Sequence, residues 1–273
     1  LALPGVLWLG IFFFLPLIFV LIASFLTQGV GGRAILPPTL AHYERTLTTF
    51  RPVLVRSVNI ALQTTLWCLL LGYPLAFYIS TRKNAGTRLV LLFLILLPFW
   101  TNFLVRTYAL KSLIGPDGII NTLLLNLGII ARPLPMLFTP FAVILGLVYG
   151  FLPFMVLPIY AAVERLDFRY VEAAHDLGAS DWHAFWRVIF PLTLPGVVAG
   201  SMLVFIPAIG SFVTPDLLGG TRGLMIGNLI AGQFGGRGNI PLGSAVSMVL
   251  IALVLVGVII YVRFGQERAQ GHG

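Results

Sequence analysis

Charge is what this sequence most lacks. Only 10% of its 273 residues are Asp, Glu, Lys or Arg, where a soluble domain carries about a quarter. With 58% hydrophobic residues and a mean hydropathy of +0.99, that scarcity excludes a water-soluble domain. It predicts an all-α integral membrane protein. Cysteine is nearly absent: the single Cys68 excludes an internal disulfide. The four histidines, His42, His175, His183 and His272, are scattered and lack metal-ligand spacing, so no metal site is expected. No G-x-x-x-x-G-K-[ST] run occurs, which excludes a phosphate-binding P-loop. Nor is there a nucleophile beside a base, so no catalytic residue is assigned and no cofactor is expected on this chain. Acidic residues number nine against 17 basic ones, a net charge of +8. Without a basic tract interleaved with aromatics, this excess points to anionic lipid head groups in the bilayer and not to nucleic acid.

What the sequence has is long apolar runs. A membrane span needs about 20 apolar residues at 1.5 Å each. By that measure six spans are expected, at about 4–27, 57–81, 89–110, 136–160, 194–214 and 241–262. Pro16 is expected to kink the first, and Gly72-Tyr73-Pro74 to break the second. Residues 28–56 read as an aqueous loop with one short helix. Residues 121–130 read as a short helix lying against the protein. Six spans place both ends of the chain on one side. The positive-inside rule does not choose that side, because eight Lys and Arg fall on one face and nine on the other.

One polar island interrupts the apolar pattern. Between Val163 and Val188 stand Glu164, Arg165, Asp167, Arg169, Glu172, His175, Asp176, Asp181, His183 and Arg187. Ions at this density cost several kcal/mol in hydrocarbon, so residues 164–191 form an aqueous loop between the fourth and fifth spans. Asp167 suits an N-cap, and Glu172 suits the first turn of the helix that follows. Ala173 and Ala174 allow close approach, and Gly178 suits a left-handed C-terminal turn. Ser180 or Asp181 starts a second helix, Trp182 to Phe190, with Trp182, Phe185, Trp186 and Ile189 on one face. Pro191 and Pro195 mark re-entry into the membrane. The plain alternative is an ordinary amphipathic loop at the interface.

Glu172-Ala173-Ala174, Gly178 four residues later and Pro191 thirteen after that resemble the EAA loop of ABC-importer permeases. Val188 and Phe190 stand where that family has Ile and Leu. The resemblance implies a cytoplasmic two-helix coupling loop that fits a groove on a separate ATP-hydrolysing subunit. Glu172, Ala173, Ala174, Asp176, Gly178, Ala179 and Phe185 are its coupling residues here. It further implies two ATP-binding subunits carrying ATP and Mg, a second homologous permease, an extracytoplasmic solute-binding protein, and a multi-pass place in the bacterial inner membrane.

Further stretches are similar to the permeases of spermidine/putrescine importers. They include LPFWTNFLVRTYALK (97–111), FLPFMVLPIYAAVERLD (151–167), GSFVTPDLLGG (210–220) and MIGNLIAGQF (225–234). NIPLGSA (239–245) continues the similarity but carries Ile240 where that family often has Trp. The resemblance implies a polyamine cargo, with opines, thiamine and phosphonates as alternatives carried by related permeases. A polyamine needs carboxylates and aromatic faces. Asp216, Phe212, Trp100 and Tyr108 are the path candidates. Asp216 equally suits capping a turn after Pro215, and Trp100 and Tyr108, eight apart on the third span, suit an interfacial aromatic belt better than the path. Pro207 and Gly210 are expected to interrupt the fifth span, either as a kink or against a water-filled path. In that span Gly196 and Gly200 form a G-x-x-x-G packing face. Two rival classes are an ion-coupled secondary transporter, against which the lack of mid-span ionisable residues argues, and a structural membrane subunit.

Overall fold

The computed structural model describes residues 3–235 and 238–270. In chain order it runs α1 (Gly5–Ser24), a hairpin of β1 (Leu26–Gln28) and β2 (Ala34–Pro38), α2 (Ala41–Thr48), α3 (Arg51–Ser80), and α4 (Ala85–Trp100). Then come α5 (Phe103–Ile114), α6 (Ile119–Asn126), α7 (Pro140–Glu164), α8 (Arg169–Asp176), α9 (Asp181–Ile209), α10 (Ile226–Phe234) and α11 (Ile240–Gln270). Among the described residues five helices are long and apolar enough to cross a bilayer, and six spans result if the bent α4–α5–α6 unit counts as one.

The bundle is centred on α3, α7 and α9. Their shared core holds Cys68, Tyr73 and Ala76 from α3, Met155, Val156, Ile159 and Val163 from α7, and Val197 and Val204 from α9. Lipid tails are as apolar as these side chains, so packing density has to hold the helices together. Glycine supplies it. A Cβ on Gly196 would lie 2.6 Å from the Pro158 carbonyl oxygen, and one on Gly200 would lie 3.1 Å from that of Met155. The expected G-x-x-x-G face is therefore where α9 meets α7. Tyr73 and Thr193 share a buried hydrogen bond of 2.9 Å, which ties α3 to the same seam. A second core joins Ala61, Ala208, Ile209, Ile226, Leu242 and Val246.

Several expectations need correction. Gly72-Tyr73-Pro74 does not break the second span, because α3 runs unbroken from Arg51 to Ser80 with Pro74 inside it. Gly72 is a close-approach point instead: a Cβ there would lie 3.1 Å from Met155 Cγ. The same helix starts six residues before the expected position 57, and residues 26–38 form a hairpin that no alternating pattern announces. The fourth span is displaced toward its C-terminus, from 136–160 to Pro140–Glu164, because Thr139 Oγ1 accepts the Ala142 N–H and sets the start. The sixth begins at Ile240, where Asn239 Oδ1 accepts the Leu242 N–H.

The third span departs most. Pro98 lies in a 3-10 turn, Thr101 is extended, and Asn102 caps a new helix by accepting the Leu104 N–H at 2.8 Å. The chain bends there by 91°. Trp100 and Tyr108 consequently do not share a helical face, and the i, i+4 spacing of Asn102 and Arg106 marks a cap and its first full turn. The fifth span also differs. It begins at Asp181, not 194, because the second helix of the polar island passes through Pro191 and Pro195 without a stop. Pro207 lies within α9, and the helix ends at Gly210.

Candidate functional site: the polar elbow and the end of α9

The elbow between α7 and α9 is built from local rules. Asp167 Oδ1 accepts the Arg169 N–H at 3.0 Å, although Phe168 is the formal N-cap of α8. Glu172 falls in the first turn, where the helix dipole favours a carboxylate. At the other end Gly178 takes φ +85°, its N–H bonds to the His175 carbonyl, and the Ala179 N–H bonds to that of Ala174. This is the paired closure of a Schellman turn, and it requires the left-handed residue to be glycine-like. His175 Nε2 then lies 3.2 Å from Asp181 Oδ1 across the bend, while Ser180 Oγ and His183 Nδ1 share a hydrogen bond of 2.9 Å. Both histidines are thereby used in the bend, and among the described residues no His, Cys, Asp and Glu cluster could hold a metal ion.

The elbow faces outward. Glu172, Ala173, Asp176 and Gly178 are exposed, and Ala174 and Ala179 are half-buried. Tyr170 is 61% exposed and Leu177, at the tip, 89%. Exposed apolar side chains therefore stand among the charges of this projecting turn. The inner side is different. Phe185 meets Tyr73 edge-on at 5.5 Å and Phe77 at 6.5 Å, both on α3, and Phe190 lies 5.8 Å from Tyr73. Phe185 therefore anchors the elbow to the bundle, while a cavity of about 500 Å³ separates α8 from the start of α9. At the elbow's root Glu164 Oε1 accepts from Arg88 at 3.0 Å and from the Tyr160 hydroxyl at 2.8 Å. Sequence reasoning missed this clasp. Arg88 and Glu164 lie 76 residues apart, and no local pattern pairs them.

The path candidates are more dispersed. The backbone unwinds at Gly210 and is received by protein: Asn228 Nδ2 donates to the Phe212 carbonyl at 2.8 Å. A Cβ on Gly227 would lie 2.5 Å from the Gly210 carbonyl oxygen, so α10 packs directly on the break. Asp216 is exposed in a π-turn, Pro215–Gly219, just beyond it, and Phe212 is exposed as well. Trp100 is 81% exposed and Tyr108 is exposed on the other side of the bend. A cavity of about 340 Å³ opens beside that bend, but none of the four candidates lines it. Arg106 does. Its guanidinium donates to the Pro98 carbonyl at 3.1 Å and sits 5.5 Å over the rings of Phe103 and Tyr149.

A bundle of membrane-length helices interrupted by one projecting polar elbow defines a class, the multi-span membrane proteins. Residues 69–268 match the family described as binding-protein-dependent transport system inner membrane component, and the chain belongs to that family. Among curated relatives it is 45% identical to the spermidine/putrescine transport system permease protein PotB of Haemophilus influenzae, over 94% of this chain and 90% of the relative. It is 30% identical to the inner membrane ABC transporter permease protein YdcU of Escherichia coli, over 97% of this chain and 88% of that one. Among solved structures it superposes on a chain of a bacterial alginate ABC transporter in complex with an alginate pentasaccharide-bound periplasmic protein. That match has a TM-score of 0.72 at 19% identity, covering 98% of this chain and 93% of the other. A chain of the MetNI methionine ABC transporter gives 0.60 at 15% identity, covering 82% and 98%.

Proposed function

We propose that this chain is a non-catalytic permease subunit of an ATP-driven importer of polyamines such as spermidine or putrescine. It works with a second permease, two ATP-binding subunits that carry ATP and Mg, and an extracytoplasmic solute-binding protein. Identity of 45% to a PotB across 94% of the chain supports the cargo. The single structural observation supporting the mechanism is the continuity of α9. Its 29 residues run from the elbow to the unwound Gly210 backbone. At 1.5 Å per residue that is a rod of about 43 Å. ATP-driven closure of the ATPases pushes α8, whose Schellman turn and His175–Asp181 pair pass the displacement to α9. The rod then moves the Gly210–Asp216 segment, which opens the path to one side or the other. Asp216 offers a carboxylate to an ammonium group. The cation route runs past it and avoids the Arg106 cavity, where a fixed positive charge repels a polycation.

The test is a pair of variants in the reconstituted importer. Glu172→Lys is expected to abolish uptake and ATPase coupling while the chain stays inserted in the membrane. Asp216→Asn is expected to weaken uptake several-fold while the ATPase still docks. Uptake by Glu172→Lys at the wild-type rate contradicts the lever, and unchanged uptake by Asp216→Asn removes that carboxylate from the path.

A further inference from the structure

The bend in the third span holds a half-buried charge that the lever does not use. Arg106 stands in the first turn of α5, just past the 91° bend. The Phe103 and Tyr149 rings and the Pro98 carbonyl hold its guanidinium, but none of them neutralises it. Among the described residues the bond to Pro98 is its only hydrogen bond, made by Nη1. No carboxylate among them lies within ion-pair distance of it, Asp216 included.

α7 gives the depth of this charge. A Cβ on Gly150 would lie 3.8 Å from Arg106 Nη2, so the guanidinium is level with Gly150. From Gly150 to Glu164, at the root of the elbow, is about 21 Å along α7 at 1.5 Å per residue. Glu164 marks the watery edge of a hydrocarbon layer about 30 Å thick. The guanidinium is then inside that layer, about 9 Å from its far edge. An arginine at such depth is costly and takes a partner of opposite charge or a polar cavity.

The cavity of about 340 Å³ beside the bend offers both. Arg106 is the one charged residue among those lining it, and Thr214 lines it from the segment that follows the Gly210 break. Thr214 is 1% exposed, and its hydroxyl is buried without a hydrogen-bond partner. A buried hydroxyl in that condition costs its full desolvation. Nε and Nη2 of Arg106 and the Thr214 hydroxyl are therefore donors bordering one space. Phe99, Phe103, Phe151 and Phe154 complete its wall.

We infer that this cavity binds a phosphate group, with Nε and Nη2 of Arg106 on two of its oxygens and the Thr214 hydroxyl on a third. The planar guanidinium fork matches phosphate oxygens in pairs, which a lysine cannot do. The phosphate comes from a phospholipid head group drawn in from the near leaflet or from the free inorganic ion. The four phenylalanines suit the apolar part of a lipid. Bound there, the phosphate ties the α4–α5 bend to the segment that follows α9. The site requires only that the chain spans a bilayer, whatever its cargo.

The test has two arms on the complete importer. In the first, nanodiscs contain a photoactivatable phosphatidylglycerol, and labelled peptides are mapped by mass spectrometry. Wild type is expected to be labelled at residues 99–106, and Arg106→Gln to lower that labelling about tenfold or more. Labelling of α1, exposed along its length, is the internal control. In the second arm, millimolar inorganic phosphate is added in detergent without anionic lipid, and melting temperatures are compared. Arg106-dependent labelling assigns a lipid phosphate. Arg106-dependent stabilisation by inorganic phosphate, without such labelling, assigns the free ion. Thr214→Val keeps the shape of the side chain and leaves the bend contacts alone. It is expected to weaken the response several-fold, and it carries the test should Arg106→Gln fail to assemble. Equal responses of wild type and variants in both arms overturn the inference. So does a photoreactive residue at Phe99 that captures the second permease and no lipid, which makes Arg106 part of a contact between subunits.

Discussion

Leu97-Pro98 and Phe190-Pro191 each put a proline into an apolar helical run, yet the chain bends by 91° after the first and continues as one helix through the second. Proline removes one donor and crowds the carbonyl four residues earlier at both sites. The difference lies in what receives the freed backbone. After Pro98 polar side chains are at hand: Thr101 Oγ1 donates to the Pro98 carbonyl at 2.7 Å, Arg106 donates to it at 3.1 Å, and Asn102 accepts the Leu104 N–H. Irregular backbone is tolerated in a membrane protein only when its groups are satisfied in this way. Before Pro191 the chain instead widens into a π-turn, Phe185–Ile189, in which the Phe190 N–H reaches the Phe185 carbonyl. That wider register absorbs the proline and keeps α9 whole. A bend therefore falls where a cap starts a new helix, and a rod persists where a π-turn takes up the proline and Thr193 Oγ1 donates to the Ile189 and Phe190 carbonyls beside it.

The contrast can be broken from either side. The largest effect is expected from Gly196→Leu. Its Cβ would lie 2.5 Å from Ala162 Cβ and 2.6 Å from the Pro158 carbonyl oxygen, an overpacking of at least about 1–3 kcal/mol. The rod is expected to separate from α7, with a lowered unfolding temperature and lost uptake; a wild-type melting curve would show that the seam is not tightly packed. A smaller change is expected from Asn102→Ala, which deletes the cap that starts α5, worth about 1 kcal/mol. Amide exchange is expected to quicken at Phe103 to Val105 while α9 is unaffected; equal exchange would mean that Arg106 and Thr101 hold the bend without the cap. The smallest effect belongs to pH. His42 in α2 is buried, and burial pushes its pKa below the usual 6.5, opposed by a backbone hydrogen bond at Leu26 and aided by the Arg45 charge. A depressed folded value leaves stability intact above pH 6.5 and lowers it as the pH falls further, because the unfolded chain takes up the proton first. The protection of α2 amides, after correction for the intrinsic pH dependence of exchange, is expected to fall as the pH drops from about 7.5 to about 5, and His42→Phe is expected to remove that dependence.

The same contrast explains what could be read from the residues alone. The elbow was legible because its rules are local: a capping Asp167, a first-turn Glu172 and a left-handed Gly178 need no knowledge of the fold. Gly196 and Gly200 were legible because small residues in lipid have few other uses. The courses of the third and fifth spans were not, since proline alone does not say whether a helix ends. The answer depends on Arg106 reaching back eight residues and on a π-turn that has no sequence signature. The Arg88–Glu164–Tyr160 clasp was hidden for the same reason, being made by residues that meet only when α4 and α7 are placed. The proposed lever depends on whether α9 is one body, a property of its partners in the bundle.

The most direct test is therefore mechanical. Spin labels at Leu177, on the elbow tip, and at Phe212, past the Gly210 break, can be placed in the assembled importer and their separation measured by double electron–electron resonance. A lever of one piece predicts a label on Trp100 that moves relative to Leu177 between the nucleotide-free and ATP-trapped states, while the Leu177–Phe212 distance stays single and unchanged. A Leu177–Phe212 distance that shifts or splits with nucleotide would contradict it, because the elbow and the path would then be moving independently.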